Sequence, residues 1–195
     1  MSQGPGARGQ GPVGRRAVFL DRDGVINEDS GFVTRPEDFV FRPGAIESLA
    51  EIQRLGYLLI VVTNQSGIGR RLYTDEDYAR VTQHMLAQLA SSGVRVDGVY
   101  HCPHSPDDGC SCRKPAPGLI QKAAQEHQID LGRSWLVGDK QIDIAAADRA
   151  GIRKTLLIRS PYPVDPTGAK PLFVGDSLAA IMPPLRREVE AGDPA

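Results

Sequence analysis

Short, continuous apolar runs alternate with stretches of helical period along this chain, and no other feature limits its fold as strongly. "AVFLD" (Ala17 to Asp21) and "YLLIVVT" (Tyr57 to Thr63) are uninterrupted, as strands buried on both faces are. Between them Ala45, Ile46, Leu49, Ile52 and Leu55 recur at helical spacing, after Pro43-Gly44 and before Gly56, which makes this segment a crossover helix. Thr74 with Asp77 forms a capping-box signature, followed by Tyr78, Val81, Met85, Leu86 and Leu89 on one face until Gly93. "VDGVYHC", "SWLVGD", "TLLIRS" and "LFVGDSL" read as further strands. "GLIQKAAQEHQ", Ile142 to Ala150 and Leu178 to Val189 read as helices. About five such units predict an α/β fold with a doubly wound, mostly parallel sheet.

The 195 residues are enough for one domain with a full core, expected over residues 15–190 behind a flexible tail of residues 1–14 rich in Gly and Pro. A formal charge of -1 offers no broad positive field for nucleic acid or an anionic membrane. The longest apolar run, Tyr57 to Val62, is far below the roughly 20 residues that span a bilayer. Arg15 and Arg16 precede only four apolar residues, too few for a secretion signal, so a cytoplasmic protein is expected.

Open α/β sheets bind ligands at the carboxyl ends of their strands, and here those ends carry Asp21, Thr63 and Asp139. Asp21 and Asp23 flank an arginine in "FLDRDGVIN", with Gly24 allowing a tight reversal. Two such charges about 4 Å apart repel by roughly 4 kcal/mol at an effective dielectric of about 20, so they call for a cation or a shared proton. Hard oxygen ligands favour Mg²⁺. "DRDG" alone is also an ordinary polar turn after a strand.

All three cysteines fall between Cys102 and Cys112. In "CPHSPDDGCSC", Cys102, His104, Cys110 and Cys112 offer a soft ligand set suited to tetrahedral Zn²⁺ in a reducing compartment. Four protein ligands leave no open position, so this zinc is expected to be structural. His101, one residue before Cys102 on a strand, should point away from it, and His84 and His127 read as structural.

"FLDRDG", "VVTNQSG", "CRKP" and "VGDKQID" occur in that order, each at a strand end or loop. The series resembles the haloacid dehalogenase superfamily over about Val13 to Leu185, closest to its zinc-loop sugar bisphosphate phosphatases. The resemblance implies a Rossmann-like sheet without a cap domain and Mg²⁺-dependent removal of the C7 phosphate from a heptose 1,7-bisphosphate. Histidinol phosphate is the alternative substrate, and a non-enzymatic phospho-acceptor domain the alternative class.

By the same resemblance Asp21 is the nucleophile, Asp23 the general acid and base, and Thr63 and Lys114 contacts of the transferring phosphoryl group. Asp21, the Asp23 carbonyl and Asp139 hold Mg²⁺, with Asp143 supporting Asp139 from the next turn. Asp29, Ser30, Gly31, Phe32, Asn64, Gln65, Ser66, Arg113 and Lys140 lie near substrate. Arg70 and Arg71 are further candidates for a second phosphate. The implied partner is a small phosphorylated sugar, handled by a monomer.

Overall fold

The computed structural model describes residues 14–192; of the tail expected over residues 1–14, residues 1–13 lie outside those described. Six strands, β1 (Ala17–Leu20), β2 (Leu58–Asn64), β3 (Gly98–Cys102), β4 (Trp135–Gly138), β5 (Lys154–Ile158) and β6 (Phe173–Gly175), form one sheet in the order β3-β2-β1-β4-β5-β6. Every neighbouring pair is parallel, with Ala17 opposite Leu58 and Val18 opposite Trp135. Parallel strands need long crossovers, which is why helices separate the first five in sequence, while a loop over residues 159–172 joins β5 to β6.

Those helices are α1 (Ala45–Arg54), α2 (Ser66–Gly69), α3 (Asp75–Ser91), α4 (Gly118–His127), α5 (Gln141–Ala150) and α6 (Met182–Glu190). The expected capping box forms at α3: the Asp77 N–H donates to Thr74 Oγ1 at 3.1 Å and the Thr74 N–H to Asp77 Oδ2 at 2.8 Å. α2 escapes sequence reading because four residues hold no helical period. The last strand is shorter than its apolar run, since Leu178–Ile181 already turns as a 3-10 helix into α6.

Successive strand residues face opposite layers. Val18 and Leu20 of β1, Leu59 and Val61 of β2, and Trp135 and Val137 of β4 pack with Leu49, Met85, Leu89 and Leu185 of α1, α3 and α6. Ala17, Phe19, Ile60, Val62 and Leu136 pack on the other side with Ile120 and Ala123 of α4 and Ala146 of α5. The sheet is therefore doubly wound, as the uninterrupted apolar runs predict, and among the described residues every strand belongs to it. None of the described helices is long and apolar enough to cross a membrane.

The strand order reverses between β1 and β4, which opens a crevice beyond their carboxyl ends. Asp21 and Asp139 are the residues that follow those two strands.

Candidate active site

Asp21 leaves β1 with its N–H donating to the Val137 carbonyl at 2.9 Å, so β4 fixes where it emerges. The chain then reverses through Gly24, whose φ is +86° and whose Cβ, if it had one, would stand 2.3 Å from Asp139 Oδ2. Only glycine combines that backbone with that approach. Asp21, Asp139 and Asp143 can each offer one oxygen within 4.8 Å of the others, and all three are buried.

Lys114 reaches this acidic cluster from the loop before α4. Its Nζ lies 2.6 Å from Asp143 Oδ1 and 3.0 Å from Asp21 Oδ1, and donates to the Val62 carbonyl at 2.8 Å. Burial opposes the lysine's charge, but Asp143 and Asp21 outweigh it and hold its pKa above the ordinary value. Burial likewise pushes the Asp21 carboxyl up, with Lys114 working against that rise. Asn64, expected near substrate, lines the cavity while its amide braces this lysine: Oδ1 accepts from the Lys114 N–H and Nδ2 donates to the Lys114 carbonyl, both at 3.0 Å.

Asp143 was expected to support Asp139. Its oxygens instead meet Lys114 Nζ and, at 3.0 Å, the N–H of Lys140 at the start of α5. Asp139 itself is left with both carboxylate oxygens buried and without a hydrogen-bond donor among the described residues, with the Lys140 ammonium 3.7 Å from Oδ2. Burial and the neighbouring Asp21 push its pKa up to about 7. A buried carboxylate of that kind fits a cation.

Asp23 sits among donors. Arg22 Nη2 gives it bonds of 2.9 and 3.0 Å, Asn27 Nδ2 one of 3.0 Å and Gln65 Nε2 one of 2.9 Å. Gln65 Nε2 also donates to Thr63 Oγ1 at 2.9 Å, while its Oε1 accepts from the Tyr73 hydroxyl at 2.6 Å. Gln65, expected near substrate, thus links Asp23 to Thr63. Arg22, Asn27 and Tyr73 are parts of this network that sequence reading missed.

Asp21, Asp23, Thr63, Asn64, Gln65, Tyr73 and Lys114 line a cavity of about 250 Å³ together with Asp29, Gly31, Phe32, Ser66, Arg113, Lys140 and Tyr162, while Asp139 and Asp143 lie behind its lining. Ser30, Arg70 and Arg71 are absent from its lining. Asp29 pairs with Lys140 Nζ at 2.9 Å and accepts from the Tyr162 hydroxyl at 2.7 Å, and these two bonds outweigh burial to hold its pKa below the usual carboxylate range.

Beside the cavity, Cys102, His104, Cys110 and Cys112 turn their ligand atoms together. Cys112 Sγ lies 3.2 Å from both Cys102 Sγ and His104 Nδ1, and 3.5 Å from Cys110 Sγ. Burial pushes the Cys102 thiol up to about 12, so its thiolate needs a cation to persist at neutral pH. His101 points away, as expected, with its ring 4.2 Å from that of Tyr78. His84 Nε2 pairs with Gln88 and His127 Nε2 with the Tyr100 hydroxyl, both outside the cavity lining.

Residues 111–180 match the family model described as HAD-hydrolase-like. Over 144 residues the chain is 46% identical to D-glycero-beta-D-manno-heptose-1,7-bisphosphate 7-phosphatase of Helicobacter pylori strain J99, covering 73% of this chain and 83% of that one. The chain belongs to the heptose-1,7-bisphosphate 7-phosphatase family of haloacid dehalogenase-like hydrolases. Another member of this family, the D-glycero-alpha-D-manno-heptose-1,7-bisphosphate 7-phosphatase of Burkholderia mallei, is 49% identical over 150 residues, 73% of this chain and 79% of that one. A crystal structure of D,D-heptose 1,7-bisphosphate phosphatase from B. bronchiseptica, complexed with magnesium and phosphate, aligns with a TM-score of 0.77 and 34% identity, covering 89% of this chain and 99% of that one. Membership of this phosphatase family sets aside the phospho-acceptor alternative.

The raised pKa of Asp139 has a measurable consequence. Between its unfolded value near 3.8 and its folded value of about 7, the folded chain holds the extra proton, so this group's stability contribution is present at low pH and lost as pH rises. In EDTA, denaturant unfolding of the wild type should lose about 2 kcal/mol between pH 5 and pH 7.5 relative to Asp139→Asn. Equal pH slopes for the two proteins would contradict the assignment.

Proposed function

We propose that this chain hydrolyses the C7 phosphate of D-glycero-D-manno-heptose 1,7-bisphosphate, in the cytoplasm, with the whole site carried by one domain over residues 15–190. The observation that supports the chemistry best is the buried cluster of Asp21, Lys114 and Asp143 beside Asp139, whose oxygens have no donor. The substrate rests on the relatives' names and on Asp29, Lys140 and Arg113 around the cavity.

In this reading a carboxylate oxygen of Asp21 attacks phosphorus, and the bond from phosphorus to the sugar oxygen breaks. Asp23 delivers the proton that the departing oxygen needs. Asp23 then takes a proton from water, whose oxygen attacks the aspartyl phosphate and frees Asp21 and inorganic phosphate. Thr63 and Lys114 bear on the phosphoryl oxygens, and the fixed ammonium of Lys114 offsets their charge without rearranging. Ser66, Gly31 and Phe32 complete the sugar's surroundings. The Asp21 and Asp139 carboxylates and the Asp23 main-chain carbonyl would hold Mg²⁺, which supplies charge neutralisation at the transferring group.

Cys102, His104, Cys110 and Cys112 would hold a structural Zn²⁺, their sulfur and nitrogen set being the chemistry that ion prefers. Arg113 and Lys114 follow Cys112 directly, so order in the loop becomes order at the phosphate.

Phosphate release from both anomers of heptose 1,7-bisphosphate, fructose 1,6-bisphosphate and histidinol phosphate measures the substrate assignment. One heptose anomer should lead in kcat/KM by at least about tenfold, or roughly 1.4 kcal/mol of transition-state binding. A preference for histidinol phosphate would contradict it. For the zinc loop, Cys112→Ser should lose zinc by metal analysis, with KM raised and kcat lowered. A zinc-free variant with wild-type kcat and KM would separate the loop from catalysis.

A further inference from the structure

Tyr162 comes from the loop after β5, a segment with no recognisable motif, yet it closes the side of the cavity opposite Asn64 and Gln65 in the strand order. Its hydroxyl donates to Asp29 Oδ2 at 2.7 Å, and the same oxygen receives Lys140 Nζ at 2.9 Å. That ammonium also lies 4.3 Å from the centre of the Tyr162 ring. Three loops, after β1, β4 and β5, therefore meet through one carboxylate, one ammonium and one phenol.

The loop carrying Tyr162 is tied down on either side of it. Ser160 Oγ donates to the Asp139 carbonyl at 2.6 Å, and Gln141 Nε2 donates to the Ala169 carbonyl. Tyr162 is thus held at the mouth although the residue is 41% exposed. A freely rotating exposed phenol would gain little from one hydrogen bond; a loop anchored at both ends has already met most of the ordering cost.

The geometry points to Tyr162 as a positioning residue that sets preference for a polyhydroxylated substrate by aiming Asp29 and Lys140. Asp29 has two strong donors on Oδ2, while Oδ1 accepts from the Gly31 N–H at 3.1 Å, so its carboxylate is presented in one fixed orientation. Such a carboxylate keeps one lone-pair site, on Oδ1, aimed to accept from a sugar hydroxyl without first reorganising, whereas a phosphate ester lacking hydroxyls has nothing to offer it. Lys140, fixed over the ring, presents its remaining donor capacity to a sugar oxygen or a second phosphate. Tyr162 touches neither the reacting atoms nor Asp21. The inference rests on the proposed sugar phosphate reading and adds to it the residue that would tune selectivity.

The test compares heptose 1,7-bisphosphate with p-nitrophenyl phosphate in the wild type, Tyr162→Phe, Tyr162→Ala, Asp29→Asn and the Tyr162→Phe/Asp29→Asn double variant. In Tyr162→Phe the ratio of the two kcat/KM values should fall about fivefold to tenfold, with the change carried by KM for the sugar. Tyr162→Ala, which also removes the ring under Lys140, should lower the ratio further. The double variant should match Asp29→Asn, because the hydroxyl acts through that carboxylate. An unchanged ratio, a parallel loss for both substrates, or additive effects in the double variant would overturn the inference. If the wild type rejects heptose 1,7-bisphosphate, the substrate proposal fails by itself. The same ratio, measured with the best polyhydroxylated phosphate ester the wild type accepts, then decides the role of Tyr162.

Discussion

The ammonium of Lys114 is the group on which the arrangement of the site depends. Asp21 and Asp143 approach each other beneath the surface, where two carboxylates about 4 Å apart would repel by roughly 4 kcal/mol at an effective dielectric of about 20. One buried cation, 2.6 Å from Asp143 and 3.0 Å from Asp21, offsets that repulsion. Removing it would leave two buried carboxyl groups facing each other without their shared partner, which costs far more than the contacts contribute when intact. The surroundings serve its placement: Asn64 grips the Lys114 backbone at both polar atoms, the Val62 carbonyl takes a third contact, and Gly138 makes room, since a Cβ there would stand 2.2 Å from Asp143 Cβ.

From that clamp the division of labour among the acids follows. Asp143 is committed to Lys114 and to the N-terminus of α5, Asp23 to the Arg22, Asn27 and Gln65 donors, and Asp29 to Lys140 and Tyr162. Asp139 alone among them keeps both oxygens buried without a donor. Its environment favours a cation, and the reversal at Gly24 brings the chain after β1 against it.

Much of this was readable in the chain because it follows from local pattern. Uninterrupted apolar runs announce strands covered on both faces, and a polar residue after each run marks the catalytic end of the sheet. The cysteines and His104 are close in sequence, so their convergence needs only one loop. What could not be read depends on contacts between distant segments. Tyr162 is 133 residues from Asp29, and nothing near it in sequence signals that partner. Asn64 and Gln65 sit where a substrate contact was expected, but the strand order turns their amides onto Lys114, Asp23 and Thr63. Asp143 shows the same limit: its helical position was foreseeable, whereas its partner arrives from a loop before α4.

We propose that Asp21, oriented by Lys114, attacks phosphorus and carries it covalently. That step is tested most directly by acid-quenching the enzyme during turnover of substrate labelled in the C7 phosphate and counting protein-bound phosphate, while a parallel quenched sample is reduced with tritiated borohydride, which expels the phosphate and leaves tritiated homoserine to be located by peptide mapping. The protein-bound phosphate should be stable in acid and released by hydroxylamine, and the tritiated homoserine should be confined to position 21. Label on any other residue, or turnover with no protein-bound label under quench conditions that preserve an authentic acyl phosphate, would contradict it.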